Sequence, residues 1–253
     1  MRFRIIVRGM PLFTYLKGMP TFLKEYGIIR RQAMRSGNDF PFGKLYPCLE
    51  EKGQESGVLA EHYFYQDLYV ARKVFENNPV RHVDIGSRID GFVAHVASFR
   101  EIEILDVRDL HLAIPSIRFT RADLTAKEFP LVDYTDSLSC LHALEHFGLG
   151  RYGDPVNYDG HLIGWGNMHR MLKKGGKFYF SVPIGRQRIE FNAHRIFSVA
   201  TLLNLMDQRY DVDSFAYIND AHEFIADVTL DEPSIRENFG CRYGCGIFEL
   251  TKR

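Results

Sequence analysis

The chain has no excess of either charge: 32 Lys and Arg stand against 32 Asp and Glu. A protein that grips a nucleic-acid backbone over a wide face carries a basic excess, so nucleic acid is set aside as a partner. Cysteine is scarce as well. Cys48, Cys140, Cys241 and Cys245 are too few and too scattered for a disulfide framework. Cys241 and Cys245 bracket RYG, but no second pair completes a zinc pattern, so unpaired thiols in a reducing cytoplasm are the reading. No apolar run approaches the roughly 20 residues that cross a bilayer. The start, MRFRIIVRGM, is basic and then apolar, yet Arg8 interrupts it and no small-residue cleavage site follows, which argues against a signal peptide. Glycine is missing where a dinucleotide loop needs it. VDIGSRIDG keeps Gly86, but Arg88 and Asp90 stand where the second and third glycines belong, so a pyrophosphate loop is not expected.

What is present is an ordinary globular composition, 45% hydrophobic and 25% charged, over 253 residues. That length suits one α/β domain with an added segment. Residues 1–57 read as the added segment, an N-terminal helical extension and a connection. GMPLFTYLK and GMPTFLKEY form a loose tandem in which Pro11 and Pro20 each suit the first position of a helical turn. A lid packed over its own domain is the expected role. Residues 36–57 hold turn formers without periodicity.

From residue 58 to 253 the pattern changes to alternating strands and helices. VLAEHYFYQDLYVARKVFENN has helical spacing and stops at Asn77, Asn78 and Pro79. HVDIG, EIEILDV, IRFTRADL, DSLSCL, KFYFSVP, YDVDSFAYI and CGIFELTK read as strands. GFVAHVASF, HLIGWGNMHRMLK and FSVATLLNLMDQ read as helices. Such alternation predicts a mostly parallel sheet with helices on both faces, a Rossmann-like α/β fold. Ligands of these sheets lie beyond the carboxyl ends of the strands.

Those ends carry a consistent set. The first strand turns at Gly86, where a bare backbone can approach a ligand and the next helix start can hold an anion. The second ends in Asp106, twenty-two positions after Asp84, placed to accept bonds from both hydroxyls of a ribose. The third ends in Asp123, which can accept from an adenine amino group. A single acid after a strand is usually a turn former, but three in register point to an adenosine without a phosphate chain.

DIGS, LDV, ADL, SCLHALEHF and MLKKGGKFYFSVP, in this order, resemble the successive motifs of class I S-adenosylmethionine-dependent methyltransferases. FNAHRIFSVATLLNLM resembles the stretch after the fifth strand. The string HFGLGRYGDPVNYDG resembles an uncharacterised branch of that superfamily, domain of unknown function 268. The resemblance implies a seven-stranded sheet, S-adenosylmethionine as cofactor and methyl transfer. It places Gly86 against the methionine part, Asp106 on the ribose and Asp123 on the adenine, with Asp84, Ser87, Val107, Leu124 and His142 alongside them. Arg88 departs from the family glycine and offers a guanidinium to the cofactor carboxylate. His62, Tyr65 and Gln66, on the helix before the first strand, can reach over the cofactor or simply cap the core.

HALEH, from His142 to His146, also fits the H-x-x-E-H pattern of a zinc peptidase, a rival reading that needs the segment inside a helix. Because DSLSCL runs directly into it, a strand end is expected instead, and no metal ligands are assigned. An alcohol acceptor needs a general base, and His146, His194 and Asp154 are the candidates, in that order, with His142 beside them. Gly148 to Gly160 is rich in Tyr, Asp and Asn, chemistry that suits a lid over a small polar acceptor. The expectation is O-methylation of a sugar, nucleotide sugar or surface-polysaccharide precursor. The alternatives are a zinc hydrolase and an inactive methyltransferase-like binding protein. Oligomeric state is not legible, a homodimer being the one assembly considered.

Overall fold

The structure, a computed structural model, describes residues 12–35, 42–49, 61–111 and 113–253. The chain forms two compact units, Met1–Leu59 and Ala60–Arg253. The MRFRIIVRGM start, the helix start at Pro11 and most of the 36–57 connection lie outside the described residues. In the first unit the expected pair of short helices is instead one helix, α1 (Leu12–Arg35), which runs through Pro20. Proline there removes one amide donor, and the helix continues past it. A Cβ on Gly18 would lie 2.9 Å from Leu49 Cβ, so its bareness lets residues 42–49 lie against the helix. No helix among the described residues is long and apolar enough to cross a membrane.

In the second unit, runs of Val, Ile, Leu and Phe become the strands of one sheet. Its parallel part holds β1 (His82–Ile85), β2 (Ile102–Asp106), β3 (Ile117–Arg121), β4 (Thr135–Leu141) and β5 (Leu172–Ile184). β1 lies between β2 and β4, with β3 outside β2 and β5 outside β4. The short strands β6 (Arg188–Glu190) and β7 (His194–Ile196) form a separate hairpin. β8 (Tyr210–Ile218), β9 (Phe224–Ile225) and β10 (Gly244–Lys252) complete the main sheet in the order β3-β2-β1-β4-β5-β10-β8-β9. β10 runs antiparallel to both β5 and β8.

The sheet therefore has eight strands where seven are expected. The extra one, β9, is a two-residue return: Asn219 Oδ1 accepts from the amides of Ala221 and Glu223 and folds the chain back on β8. The β6–β7 hairpin is also additional, in polar sequence that gives no alternating signal.

β5 is buried on both faces from Phe178 to Ile184, the pattern of a covered central strand. On one face Trp165, from α4 (Gly160–Met171), packs on Phe178, Phe180 and Tyr210. On the other, Val70 and Val74 from α2 (Glu61–Asn77) meet Phe92, Val96 and Tyr179. The helix expected over 91–99 is shorter: a π-turn, Ile89–Val93, leads into α3 (Ala94–Ala97). Gly91 leaves helical geometry there (φ −122°, ψ −117°), and a Cβ would strike Asp67 of α2. Counted from Gly86, the G-x-G-x-x-G spacing puts its third glycine at 91 and not at Asp90, so Gly91 fills the close-packing position and the loop lacks only the second glycine, replaced by Arg88. Strand order reverses between β1 and β4, which opens a crevice above their carboxyl ends.

Candidate functional site

The loop after β1 is held by Asp84. Its Oδ2 accepts from the Ser87 amide at 2.9 Å, and its Oδ1 accepts from the Ser87 hydroxyl at 2.8 Å and the Ser139 hydroxyl at 2.6 Å. With both oxygens taken, Asp84 shapes the turn and does not line the cleft. Burial pushes its pKa up to about 6, although the Ser139 and Ser87 bonds favour the carboxylate. Gly86 sits at φ +71°, and a Cβ there would lie 3.3 Å from Ala143 Cβ, inside the space a ligand would use. Arg88 pairs through two bonds with Asp90, at 3.0 and 2.8 Å, and both side chains are exposed.

At the end of β2, Asp106 is met from both sides by Arg108, at 3.0 and 2.6 Å. The Arg108 guanidinium lies 4.5 Å from the centre of the Tyr152 ring, joining the β2 end to the loop after β4. At the end of β3, Asp123 Oδ1 accepts from the amide and hydroxyl of Thr125, which leaves Oδ2 available. Gly86, Ser87, Arg88, Asp106, Val107, Asp123 and Leu124 line one cleft.

β4 is followed directly by His142, a non-glycine residue at φ +52°, a costly conformation that folded proteins concentrate at sites of function. Leu144–His146 is a single 3-10 turn, not an α-helix, so His142 and His146 are not presented one helical turn apart on one face. This corrects the zinc reading. His142 Nδ1 donates to Glu145 Oε1 at 2.8 Å, while His146 Nδ1 donates to the Ala193 carbonyl at 2.7 Å. No group among the described residues has the geometry of a metal site.

The two histidines are driven apart electrostatically. Burial works against a charge on His142, but Cys245 and Glu145 beside it outweigh burial and hold its pKa well above the free value. On His146 burial prevails over the nearby Glu145 and lowers the pKa. Because a carbonyl only accepts, the Ala193 bond places the proton of neutral His146 on Nδ1 and the lone pair on Nε2. Glu145 Oε1 lies 3.8 Å from that Nε2.

The loop from Gly148 to Gly160 is built on backbone. Asp154 accepts from the amides of Gly148, Gly150 and Tyr152, which occupies both its oxygens and makes it the organiser of the loop. Gly148 sits at φ +75°, and a Cβ would fall 2.0 Å from the Asn157 carbonyl. Arg195, only 4% exposed, donates to the Phe147 and Tyr158 carbonyls at 2.6 and 3.0 Å and pins both ends of the loop. Tyr152 and Asp154 line the cleft with His142 and His146.

Above β4 and β5 stands a wall of rings. His62 stacks on His142 at 6.1 Å, Tyr63 lies 5.4 Å from His142, and Tyr243 lies 5.9 Å from His62. Burial, then His142 and His222 nearby, push the His62 pKa down to about 4. His194 comes within 6.5 Å of the His146 ring and 3.2 Å of Glu190, without the alignment of a hydrogen bond. Gln66 lines the cleft, but its amide is engaged by Asp67 and Ser181. Tyr65 stacks instead on Phe224, 5.9 Å away. The site residues that sequence reasoning missed are Tyr63, Arg108, Thr125, Tyr152, Arg195 and Tyr243. For Arg108, an arginine just past a strand end was the available signal.

A family model described as "Caenorhabditis protein of unknown function, DUF268" matches residues 97–237, more than half of the chain. None of the curated proteins matches the sequence significantly. Among solved structures, the N-methyltransferase NodS from Bradyrhizobium japonicum WM9, in complex with S-adenosyl-L-homocysteine, is 11% identical with a TM-score of 0.50, over 76% of this chain and 89% of its own. An S-adenosylmethionine-dependent methyltransferase from Clostridium acetobutylicum is 11% identical with a TM-score of 0.50, over 76% and 92%. The [4+2]-cyclase SpnF is 14% identical with a TM-score of 0.50, over 73% and 80%. At these identities the likeness establishes the class I methyltransferase fold. A cyclase among the neighbours leaves the reaction to be argued from the site itself.

Proposed function

The chain belongs to the DUF268 family, and from that premise and its fold we propose that it is an S-adenosylmethionine-dependent methyltransferase acting on a hydroxyl of a sugar, nucleotide sugar or surface-polysaccharide precursor. The observation that carries the reading is the convergence of Gly86, Asp106 and Asp123 on one cleft from three successive strand ends. The cleft fits the cofactor on its own terms. Gly86 leaves bare the space that a Cβ would enter, Asp106 offers its two oxygens to a ribose diol once Arg108, which holds both, turns aside, and Asp123 keeps Oδ2 for an adenine amino group. Arg88, exposed, paired with Asp90 and 5.8 Å from the centre of the Tyr63 ring, can exchange Asp90 for the cofactor carboxylate. Ser87, Val107, Leu124, His142 and Gln66 complete the lining.

When bound, S-adenosylmethionine supplies a methyl group on a positively charged sulfur. The protein then aligns an acceptor oxygen with that methyl and removes its proton. His146 is the base, because its tautomer puts a lone pair on Nε2 and burial keeps it neutral near pH 7. His194 stands behind it, and Asp154 serves by holding the loop. The sugar assignment rests on that loop, which offers Tyr152, Asn157, Tyr158 and Asp159. All four cysteines are free, in keeping with the cytoplasmic setting we assign.

The test is to incubate the full chain with S-adenosylmethionine and a panel of nucleotide sugars, then measure S-adenosylhomocysteine and methylated product by mass spectrometry. His146→Gln is expected to lower kcat by about 100-fold or more, with KM for the cofactor little changed. An undiminished rate in that variant would remove His146 from the role. Cofactor binding with no product from any sugar would remove the acceptor class.

A further inference from the structure

Three buried side-chain atoms in one corner of the molecule lack a well-formed hydrogen bond: His62 Nε2, Glu145 Oε2 and His142 Nε2, whose ring has the weakly bonding Cys245 thiol beside it. Their residues are contiguous. The His62 and His142 rings stack with planes 23° apart, and His142 Nδ1 donates to the other Glu145 oxygen. Tyr63 and Tyr243 add ring faces, and His222 lies 5.4 Å from His62. His142 and Tyr63 also line the cofactor cleft, so the corner adjoins it.

Each such orphan costs on the order of 1–3 kcal/mol, and a carboxylate oxygen costs more. Native structures pair nearly all buried polar atoms. Glu145 is 1% exposed and His62 is 7% exposed, so bulk water does not relieve the cost. A phenylalanine at position 62 would fill similar space without it. Three orphans held together beside a ligand cleft are the signature of groups kept for a ligand.

Their chemistry defines that ligand. Glu145 Oε2 only accepts, whereas the two ring nitrogens accept or donate with protonation state. Hydroxyl groups do both, and the C–H face of a saturated ring packs on Tyr63 and Tyr243. A phosphate or carboxylate group would meet Glu145 with like charge. A ring with a single hydroxyl would leave two of the three atoms unpartnered.

We propose that the His62–His142–Glu145 corner is the acceptor subsite, and that it selects a polyhydroxylated ring by taking one hydroxyl on Glu145 Oε2 and others on the two histidine nitrogens. The proposal rests on the methyltransferase reading and adds the residues that choose the acceptor. Glu145 is then a specificity-determining residue in addition to holding His142.

The experiment uses the full chain saturated with S-adenosylhomocysteine, with methyl β-D-glucopyranoside, methyl β-D-galactopyranoside and cyclohexanol as probes in saturation-transfer NMR. At least one glycoside is expected to bind and cyclohexanol is not. Glu145→Gln and His62→Phe are each expected to weaken glycoside binding by about tenfold or more, while S-adenosylhomocysteine affinity stays within about threefold. If Glu145→Gln fails to fold, His62→Phe carries the test. Absence of glycoside binding to the loaded protein, equal binding of cyclohexanol, or unchanged glycoside affinity in the folded variants would overturn the subsite while leaving the cofactor reading intact. Failure of S-adenosylhomocysteine itself to bind would instead strike the reading beneath it.

Discussion

Replacing Asp84 with asparagine should change how stability depends on pH, and the structure gives the size of the change. Asp84 is fully buried, with a pKa raised to about 6 against 3.8 for a free aspartate. The folded chain therefore holds this proton more tightly than the unfolded chain does. Its contribution to stability is lost as pH rises from about 4 to about 6 and is constant above that. The full loss is about 3 kcal/mol, of which about 2 kcal/mol falls between pH 4.5 and 7.5. Wild-type stability alone would hide this, because His82, two residues away and held neutral by burial with a pKa near 3, gains stability over the same rise. The two are joined through Ser139, whose hydroxyl contacts His82 Nε2 and donates to Asp84. The difference between Asp84→Asn and wild type isolates the carboxyl. Urea unfolding at both pH values should show the variant gaining about 2 kcal/mol relative to wild type at the higher pH. A difference that stays constant, or that moves the other way, would refute the claim that Asp84 is buried at the cost of its charge.

Other outcomes follow from the same geometry. Asp106→Ala should weaken S-adenosylhomocysteine binding by about 100-fold, the loss of two hydroxyl-to-carboxylate bonds, read by calorimetry. Gly148→Ala should lower stability by about 2 kcal/mol or more in urea unfolding, because its backbone is left-handed and its Cβ would meet the Asn157 carbonyl. Arg195→Met removes three bonds to carbonyls, those of Glu145, Phe147 and Tyr158, and should cost a comparable amount, with faster proteolysis of the loop from Gly148 to Gly160. With His146 as base, the acid limb of kcat against pH should have its midpoint below the 6.5 of a free imidazole, and a midpoint above 7 would exclude it.

The centre of this fold was legible because buried parallel strands write themselves as apolar runs, and each run from HVDIG to KFYFSVP became a strand. The lining of the cleft was legible for a related reason. Glycine and aspartate end those runs, and Gly86, Asp106 and Asp123 do meet in one cleft. What escaped depends on partners distant in sequence. β6 and β7 are three-residue strands that gain their shape only by pairing with each other. Gly91 reads as the first residue of the helix GFVAHVASF, and only the fold brings Asp67 against it. Arg108 reads as a solvated arginine until Asp106 and Tyr152 close on it. HALEH fits two chemistries as a string, and only the strand end and the 3-10 turn separate them.

Calorimetric titration of the full chain with S-adenosylhomocysteine tests the central claim most directly. The account predicts one site per chain with a dissociation constant in the micromolar range, about −8 kcal/mol, lost in Asp106→Ala. No heat of binding from a folded wild-type chain, or equal binding in the variant, would contradict it.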